Sequence, residues 1–186
     1  MKLSFSTLGC PDWSWSIVLS AAKDIGMDGV EVRCVGSELY APHCAEFSEE
    51  NAPATMERLA KLGLTIPVLD SNASIALAEG SAMAMREARE YIDLAARIGT
   101  PYVRVMCIPV PQPADADLEL CSRQYAELCA YGESRGVTPL LETNGPLGDS
   151  SVMKSLMDGI PSANKGVLWD IHHPYRYFGE SPATPY

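Results

Sequence analysis

Short apolar runs alternate with longer amphipathic segments along the whole chain. Six of the apolar runs have the composition of β-strands, at positions 3–7, 29–33, 64–69, 102–106, 137–141 and 166–170. The segments between them place apolar residues at three- and four-residue spacing, the pattern of helices with one buried face; they cover 13–25, 48–62, 80–98, 114–135 and 150–160. This strict alternation predicts parallel strands joined by right-handed crossovers.

Charged residues alternate with valines inside two of the predicted strands. Val30 and Val32 would face the helices while Glu31 and Arg33 point the other way, and Arg104 interrupts the fourth strand in the same manner. Charged side chains on the inner face suit the open end of a (β/α) barrel. No Gly-x-Gly-x-x-Gly motif or phosphate-binding loop favours a nucleotide-binding sheet instead. We therefore predict an α/β fold of the (β/α) TIM-barrel type.

Composition and charge narrow the function classes. The 186 residues contain 47% hydrophobic residues and no low-complexity tract, which predicts a single domain over residues 1–186. The formal charge of -10 disfavours nucleic acid and anionic membrane surfaces as partners. No segment resembles a signal peptide or a membrane span, so we expect a cytoplasmic protein. Six cysteines without a Cys-x-x-Cys pair predict reduced, packed thiols.

Two acidic residues stand where predicted strands finish. Glu142 follows the apolar pair Leu140 and Leu141, and Asp170 closes the sixth run. A buried acid is costly unless it is paired or binds a metal, so these positions indicate a site. For Glu142 the structural alternative is a buried ion pair with Arg104.

A histidine pair follows Asp170 at once. We expect the strand to end near Asp170, with Pro174 ending regular structure and His173 turning back from a loop towards the acid. His172 is expected to point outward. Carboxylate oxygens with an imidazole suit a divalent ion such as Mn²⁺, Mg²⁺, Co²⁺ or Zn²⁺.

Two further charged residues are candidates for substrate binding. Glu31 would bind a hydroxyl group, or pair with Arg33 or Arg104 at the barrel mouth. Arg104 would anchor a phosphate or carboxylate of the substrate, or neutralise Glu142.

Three stretches of the sequence resemble a known family. Val30-Glu-Val-Arg33, Leu141-Glu-Thr-Asn144 and Leu168-Trp-Asp-Ile-His-His-Pro-Tyr-Arg176 are similar to the xylose-isomerase-like TIM barrels, a superfamily of sugar-phosphate isomerases and epimerases, inosose dehydratases and endonuclease IV. The resemblance implies that Glu142 and Asp170 are metal ligands and that His173 contacts the substrate's hydroxyl groups. It also implies a reaction in which Glu142 removes the proton next to a carbonyl and forms an enediolate.

The resemblance also predicts what lies outside the six strands. A full barrel takes about 250 residues, so we expect a barrel truncated after about six strands, with an incomplete metal site that lacks the histidine and the second glutamate of strands seven and eight. Open sheet edges would favour a homo-oligomer. The leading hypothesis is a metal-dependent isomerase or epimerase of a small sugar or sugar phosphate; the alternatives are an inosose dehydratase-like lyase and a non-catalytic remnant or sugar-binding module.

Overall fold

Six strands and six α-helices alternate along the part of the chain that the structure describes. The computed structural model describes residues 1–183, and the α/β TIM-barrel type of fold is confirmed. The strands are β1 (Ser4–Ser6), β2 (Gly29–Glu31), β3 (Val68–Ser74), β4 (Tyr102–Met106), β5 (Thr138–Glu142) and β6 (Gly166–Leu168). The helices are α1 (Trp15–Asp24), α2 (Ala52–Leu62), α3 (Ser81–Ile98), α4 (Leu118–Glu133), α5 (Ser150–Asp158) and α6 (His172–Phe178).

The strands pair in sequence order. Strands β1 and β2 are parallel, with Phe5 opposite Val30, and a second sheet has the order β3-β4-β5-β6. Strand β6 is parallel to β5, with Glu142 opposite Leu168. This register places the carboxyl ends of β5 and β6 side by side.

The chain forms two compact units, each with its own buried centre. The first comprises Met1–Ser71 and Glu90–Val103, and the second Asn72–Arg89 and Arg104–Tyr186. Leu19, Val30 and Phe47 are fully buried in the first unit; Tyr125 and Leu141 are fully buried in the second. The single domain over residues 1–186 stays a prediction.

The third strand is shifted from its predicted position, and the second and sixth each end two residues earlier than predicted. The third strand was predicted at 64–69, but β3 is Val68–Ser74, because it begins after Pro67 and continues through the polar stretch that follows Leu69. The sixth was predicted to reach Asp170, but β6 ends at Leu168. Its last two predicted residues lead into a turn instead.

The prediction that Pro174 ends regular structure is wrong. Helix α6 begins at His172, and Pro174 occupies its first turn, where the missing N–H of proline costs no intrahelical hydrogen bond. Helix α4 begins at Leu118, four residues later than predicted, because the Asp117 side chain accepts the N–H of Leu120 (2.8 Å) and caps it there.

The six cysteines are reduced, as predicted, and only Cys10 is not buried. Burial raises the pKa of the Cys44 thiol to about 12 and that of Cys129 to about 11, so both thiols stay protonated at neutral pH. Within residues 1–183, no helix has the length and apolar character that crossing a membrane requires.

Candidate metal centre

Strand β5 delivers Glu142 into a buried setting. Glu142 is the last residue of β5 and only 6% exposed. Its Oε2 lies 3.3 Å from Nη1 of Arg104 on β4. The ion pair that the sequence offered as an alternative for these two residues is therefore formed. A carboxylate this deeply buried needs such a partner to remain charged.

The turn after β6 brings Asp170 and His173 together. Oδ1 of Asp170 accepts the N–H of His172 (2.7 Å), which fixes the turn into α6. His173 then lies in the first turn of α6, with its Nε2 3.7 Å from Oδ2 of Asp170. His172 is exposed, as expected. His173 therefore approaches Asp170 from a helix, whereas the sequence predicted that it would do so from a loop.

Glu142, Asp170 and His173 form one cluster. Each offers one ligand atom, and these atoms all lie within 4.8 Å of one another. Two ligands on opposite sides of one divalent ion are separated by about 4.2 Å, twice a ligand distance of about 2.1 Å. Small side-chain rotations would thus place all three atoms around a single ion. The cluster fits a metal.

The charges and donor atoms of the cluster also suit a divalent cation. The group contains the carboxylates of Glu142 and Asp170 and the imidazole of His173, with the guanidinium of Arg104 beside Glu142. Two oxygens and one imidazole nitrogen are ligands that Mg²⁺, Mn²⁺, Co²⁺ and Zn²⁺ accept. No thiolate takes part in the cluster.

Two residues that the sequence did not single out as functional hold the strand ends in place. The Asn144 side chain accepts the N–H of Cys107 (3.3 Å) and donates to the carbonyl oxygen of Ile108 (2.8 Å). Thr143 binds the backbone after β6. Their signal in the sequence is their position, since Thr143 and Asn144 are the two residues after Glu142.

A glycine makes the turn after Asn144 fit. Gly145 has a φ of +56°, and a Cβ there would come within 2.5 Å of the Ile108 side chain. Its N–H donates to the carbonyl oxygen of Pro111 (3.0 Å). The loop after β4 is therefore packed against the end of β5, close to the cluster.

The two early charged residues belong to the first unit. Glu31 ends β2 and is half-buried. Arg33 is buried, and its guanidinium donates to the carbonyl oxygen of Leu39 (3.1 Å). A role of Glu31 in substrate binding stays a prediction.

Solved structures of similar fold come from several proteins. A probable 3-DHS dehydratase, AsbF, of Bacillus anthracis superposes with a TM-score of 0.74 at 19% identity, over 93% of this chain and 64% of that one. A xylose isomerase-like TIM barrel protein from Mycobacterium smegmatis, in complex with magnesium, has a TM-score of 0.74 at 16% identity, over 97% and 68%. A D-psicose 3-epimerase in the presence of D-fructose has a TM-score of 0.74 at 14% identity, over 93% and 64%.

These likenesses concern the fold, because the identities are low. The chain spans about two thirds of the length of the structures it matches. No curated protein matches the sequence. The family described as xylose isomerase-like TIM barrel matches residues 19–184, and the chain belongs to that family.

Proposed function

We propose that this chain carries the metal-binding part of a divalent-metal-dependent isomerase or epimerase that acts on a small sugar or sugar phosphate. The observation that supports the proposal most is the cluster of Glu142, Asp170 and His173, whose ligand atoms lie within 4.8 Å of one another. The magnesium complex and the epimerase among the structural neighbours agree with this reading.

Each residue of the cluster has a distinct role in the proposed reaction. A bound divalent ion would supply Lewis-acid polarisation of a substrate carbonyl. Glu142 and Asp170 would hold the ion, and Glu142 would also take the proton from the carbon next to the carbonyl. The electron pair of that C–H bond moves towards the carbonyl oxygen, which gives an enediolate. Return of the proton to the neighbouring carbon isomerises the sugar, and return to the other face epimerises it.

Arg104 and His173 would position the substrate. Arg104 pairs with Glu142, so its guanidinium neutralises that carboxylate, and it is also proposed to bind a phosphate or hydroxyl oxygen of the substrate. His173 is proposed to donate to or accept from a substrate hydroxyl group when it is not a ligand.

Metal binding and proton exchange test the proposal in two steps. Calorimetric titration with Mn²⁺ should show one binding event in the wild-type protein and a loss of it in Asp170→Asn. Incubation with D-fructose in deuterium oxide should then replace a carbon-bound hydrogen of the sugar by deuterium. Proton NMR would detect this exchange as the loss of the corresponding signal. Absence of binding at millimolar Mn²⁺ together with absence of exchange would contradict the enzyme and favour a non-catalytic sugar-binding module.

A lyase of the inosose dehydratase kind is the second candidate. A probable dehydratase is among the structural neighbours, and elimination of water begins with the same proton abstraction next to a carbonyl. A keto-inositol separates the two reactions. Loss of water, detected as a new ultraviolet absorbance, indicates the lyase, whereas deuterium exchange without loss of water indicates the isomerase.

Self-association stays a prediction. Val167, Trp169 and Ile171 alternate along and beyond β6 and are 40%, 40% and 54% exposed. A second copy of the chain would cover them at this edge of the sheet. Light scattering tests it, and a strictly monomeric protein at high concentration would rule it out.

A further inference from the structure

Thr143 forms hydrogen bonds to the chain after β6 in addition to the backbone bond that continues the pairing of β5 and β6. It follows Glu142 directly and is 1% exposed. Its N–H donates to the carbonyl oxygen of Leu168 (3.0 Å), and its hydroxyl accepts the N–H of Asp170 (2.8 Å). Its own carbonyl oxygen lies 3.1 Å from Nδ1 of His173. Thr143, which is bonded in sequence to Glu142, is thus hydrogen-bonded to both Asp170 and His173.

We propose that Thr143 is the positioning residue of the metal centre: its hydroxyl fixes Asp170 beside Glu142, and its carbonyl oxygen orients the His173 ring. The inference rests on the proposed function, because it concerns the same cluster. In this proposal Thr143 acts through Asp170 and His173, to which it is hydrogen-bonded.

The hydroxyl extends the link between the two strands past the end of β6. A hydroxyl group has one proton to donate and lone pairs that accept. Because it accepts from the N–H of Asp170, its proton is left for a carbonyl oxygen, and that of Asp170 is the nearer one, at 3.2 Å. Both backbone polar groups of Asp170 are therefore bound by Thr143, although regular pairing has ended at Leu168.

Fixing the backbone of Asp170 also fixes its carboxylate. Oδ1 is already committed to the N–H of His172 (2.7 Å). With backbone and Oδ1 both held, Oδ2 is the oxygen that remains on the side of His173. The position of this oxygen relative to Glu142 then depends on the link through Thr143.

The carbonyl oxygen of Thr143 selects one form of the His173 ring. A carbonyl oxygen only accepts, so the hydrogen bond to Nδ1 requires a hydrogen on Nδ1. In the neutral ring Nε2 then carries a lone pair, the form that binds a metal, and backbone carbonyls often orient ligand histidines in this way. Nε2 is the atom that faces Asp170.

A threonine in the other unit makes the same kind of link, away from the cluster of Glu142, Asp170 and His173. The hydroxyl of Thr7, after β1, accepts the N–H groups of Arg33 (2.8 Å) and Cys34 (3.0 Å). A merely structural role of Thr143 would resemble that of Thr7. Thr7→Val is therefore the matched control for Thr143→Val.

The experiment combines three variants with two measurements. Long-range ¹⁵N–¹H NMR of the EDTA-treated protein, at mildly alkaline pH where an imidazole is neutral, reads the tautomer of His173. Electron paramagnetic resonance of free Mn²⁺ gives the dissociation constant of Mn²⁺. The variants are Thr143→Val, Thr143→Ser and Thr7→Val, and circular dichroism confirms that each is folded.

The expected result is an Nδ1–H tautomer of His173 in the wild-type protein, and the same tautomer in Thr143→Val, which keeps the carbonyl oxygen that accepts from Nδ1. Mn²⁺ affinity should fall about 10- to 100-fold in Thr143→Val, while Thr143→Ser and Thr7→Val keep the wild-type value. An Nε2–H tautomer in the wild-type protein would overturn the inference, and so would a Thr143→Val protein with unchanged Mn²⁺ affinity.

The two measurements also separate this inference from the proposed function. If the wild-type protein binds no Mn²⁺, the proposed function fails, and the tautomer in the metal-free protein still decides the inference. The NMR measurement on the wild-type protein needs no variant, so it remains decisive even where Thr143→Val does not fold.

Discussion

Thr7 in the first unit and Thr143 in the second perform the same task on the backbone. Each follows a strand, each is almost completely buried, and each accepts an N–H group from the chain just beyond the neighbouring strand. Parallel strands drift apart where regular pairing stops, and a buried hydroxyl replaces the missing hydrogen bonds at little cost. The link therefore belongs to the fold.

The two regions differ in what the neighbouring strand supplies. Beyond β2 the chain offers Arg33, which turns to the carbonyl oxygen of Leu39, and Cys34, whose thiol donates to the carbonyl oxygen of Thr7 (3.3 Å). Beyond β6 it offers Asp170 and His173, which meet Glu142. The same kind of threonine hydrogen bond thus lies beside packed side chains in one unit and beside a candidate metal centre in the other.

The largest effect is expected from the acid that ends β5, compared with the acid that ends β2. Glu142→Gln leaves the guanidinium of Arg104 without its carboxylate partner in a buried setting, since the side chains are 13% and 8% exposed. Removing one partner of a buried ion pair costs about 3 kcal/mol. Urea unfolding should show this loss, and Mn²⁺ binding should be abolished.

Two further variants separate stability from metal binding at this position. Glu31→Gln should change the free energy of unfolding by less than about 1 kcal/mol, because Glu31 is only half-buried. The double variant Arg104→Met with Glu142→Gln should recover most of the stability without recovering Mn²⁺ binding. Equal destabilisation by Glu31→Gln and Glu142→Gln would contradict the contrast between the two strand ends.

The next effect concerns the link in the first unit. Thr7→Val leaves the buried N–H groups of Arg33 and Cys34 without their acceptor, and an unsatisfied buried donor costs about 1 to 3 kcal/mol. We expect a loss of about 2 kcal/mol in the free energy of unfolding, measured in urea. A neutral effect would show that Thr7 is dispensable and that the two threonines are not equivalent.

The order of strands and helices was predictable because burial in this fold follows local periodicity. Strand β4 agrees with the prediction at both ends, since Val103 and Val105 alternate with polar neighbours and are fully buried. Strand β3 was misplaced because Asp70 and Ser71, in the middle of it, are buried although polar. Hydrophobicity alone cannot locate a strand whose buried positions are polar.

The meeting of Glu142, Asp170 and His173 was predictable from topology, because the carboxyl ends of neighbouring parallel strands lie side by side. The role of Thr143 was not. Its hydroxyl and carbonyl oxygen act on residues about 27 to 30 positions away in sequence, and bonds from a side chain to a distant backbone leave no periodic pattern. Helix α6 was missed for a different reason, because Pro174 was read as a stop signal.

The smallest expected effect compares the first turns of a helix in each unit. Helix α5 has a side-chain cap, since Oδ1 of Asp149 accepts the N–H groups of Ser151 (2.9 Å) and Val152 (3.3 Å). Ser14 precedes α1 without such a bond. Asp149→Ala should therefore cost about 1 kcal/mol at neutral pH, whereas Ser14→Ala should cost less than about 0.5 kcal/mol.

The effect of Asp149→Ala on the free energy of unfolding should depend on pH. The hydrogen bond from the Ser151 hydroxyl, helped by the N–H groups of Val152 and Ser151, lowers the pKa of Asp149 below its ordinary value of 3.8. A lowered pKa in the folded state means that the charged cap stabilises the protein above that value and loses its effect as the pH falls through the folded-state pKa. The difference in unfolding free energy between wild type and Asp149→Ala should thus be constant near neutrality and shrink in acid, while that for Ser14→Ala stays flat. A difference for Asp149→Ala that grew in acid would mean that the cap acts through something other than its charge.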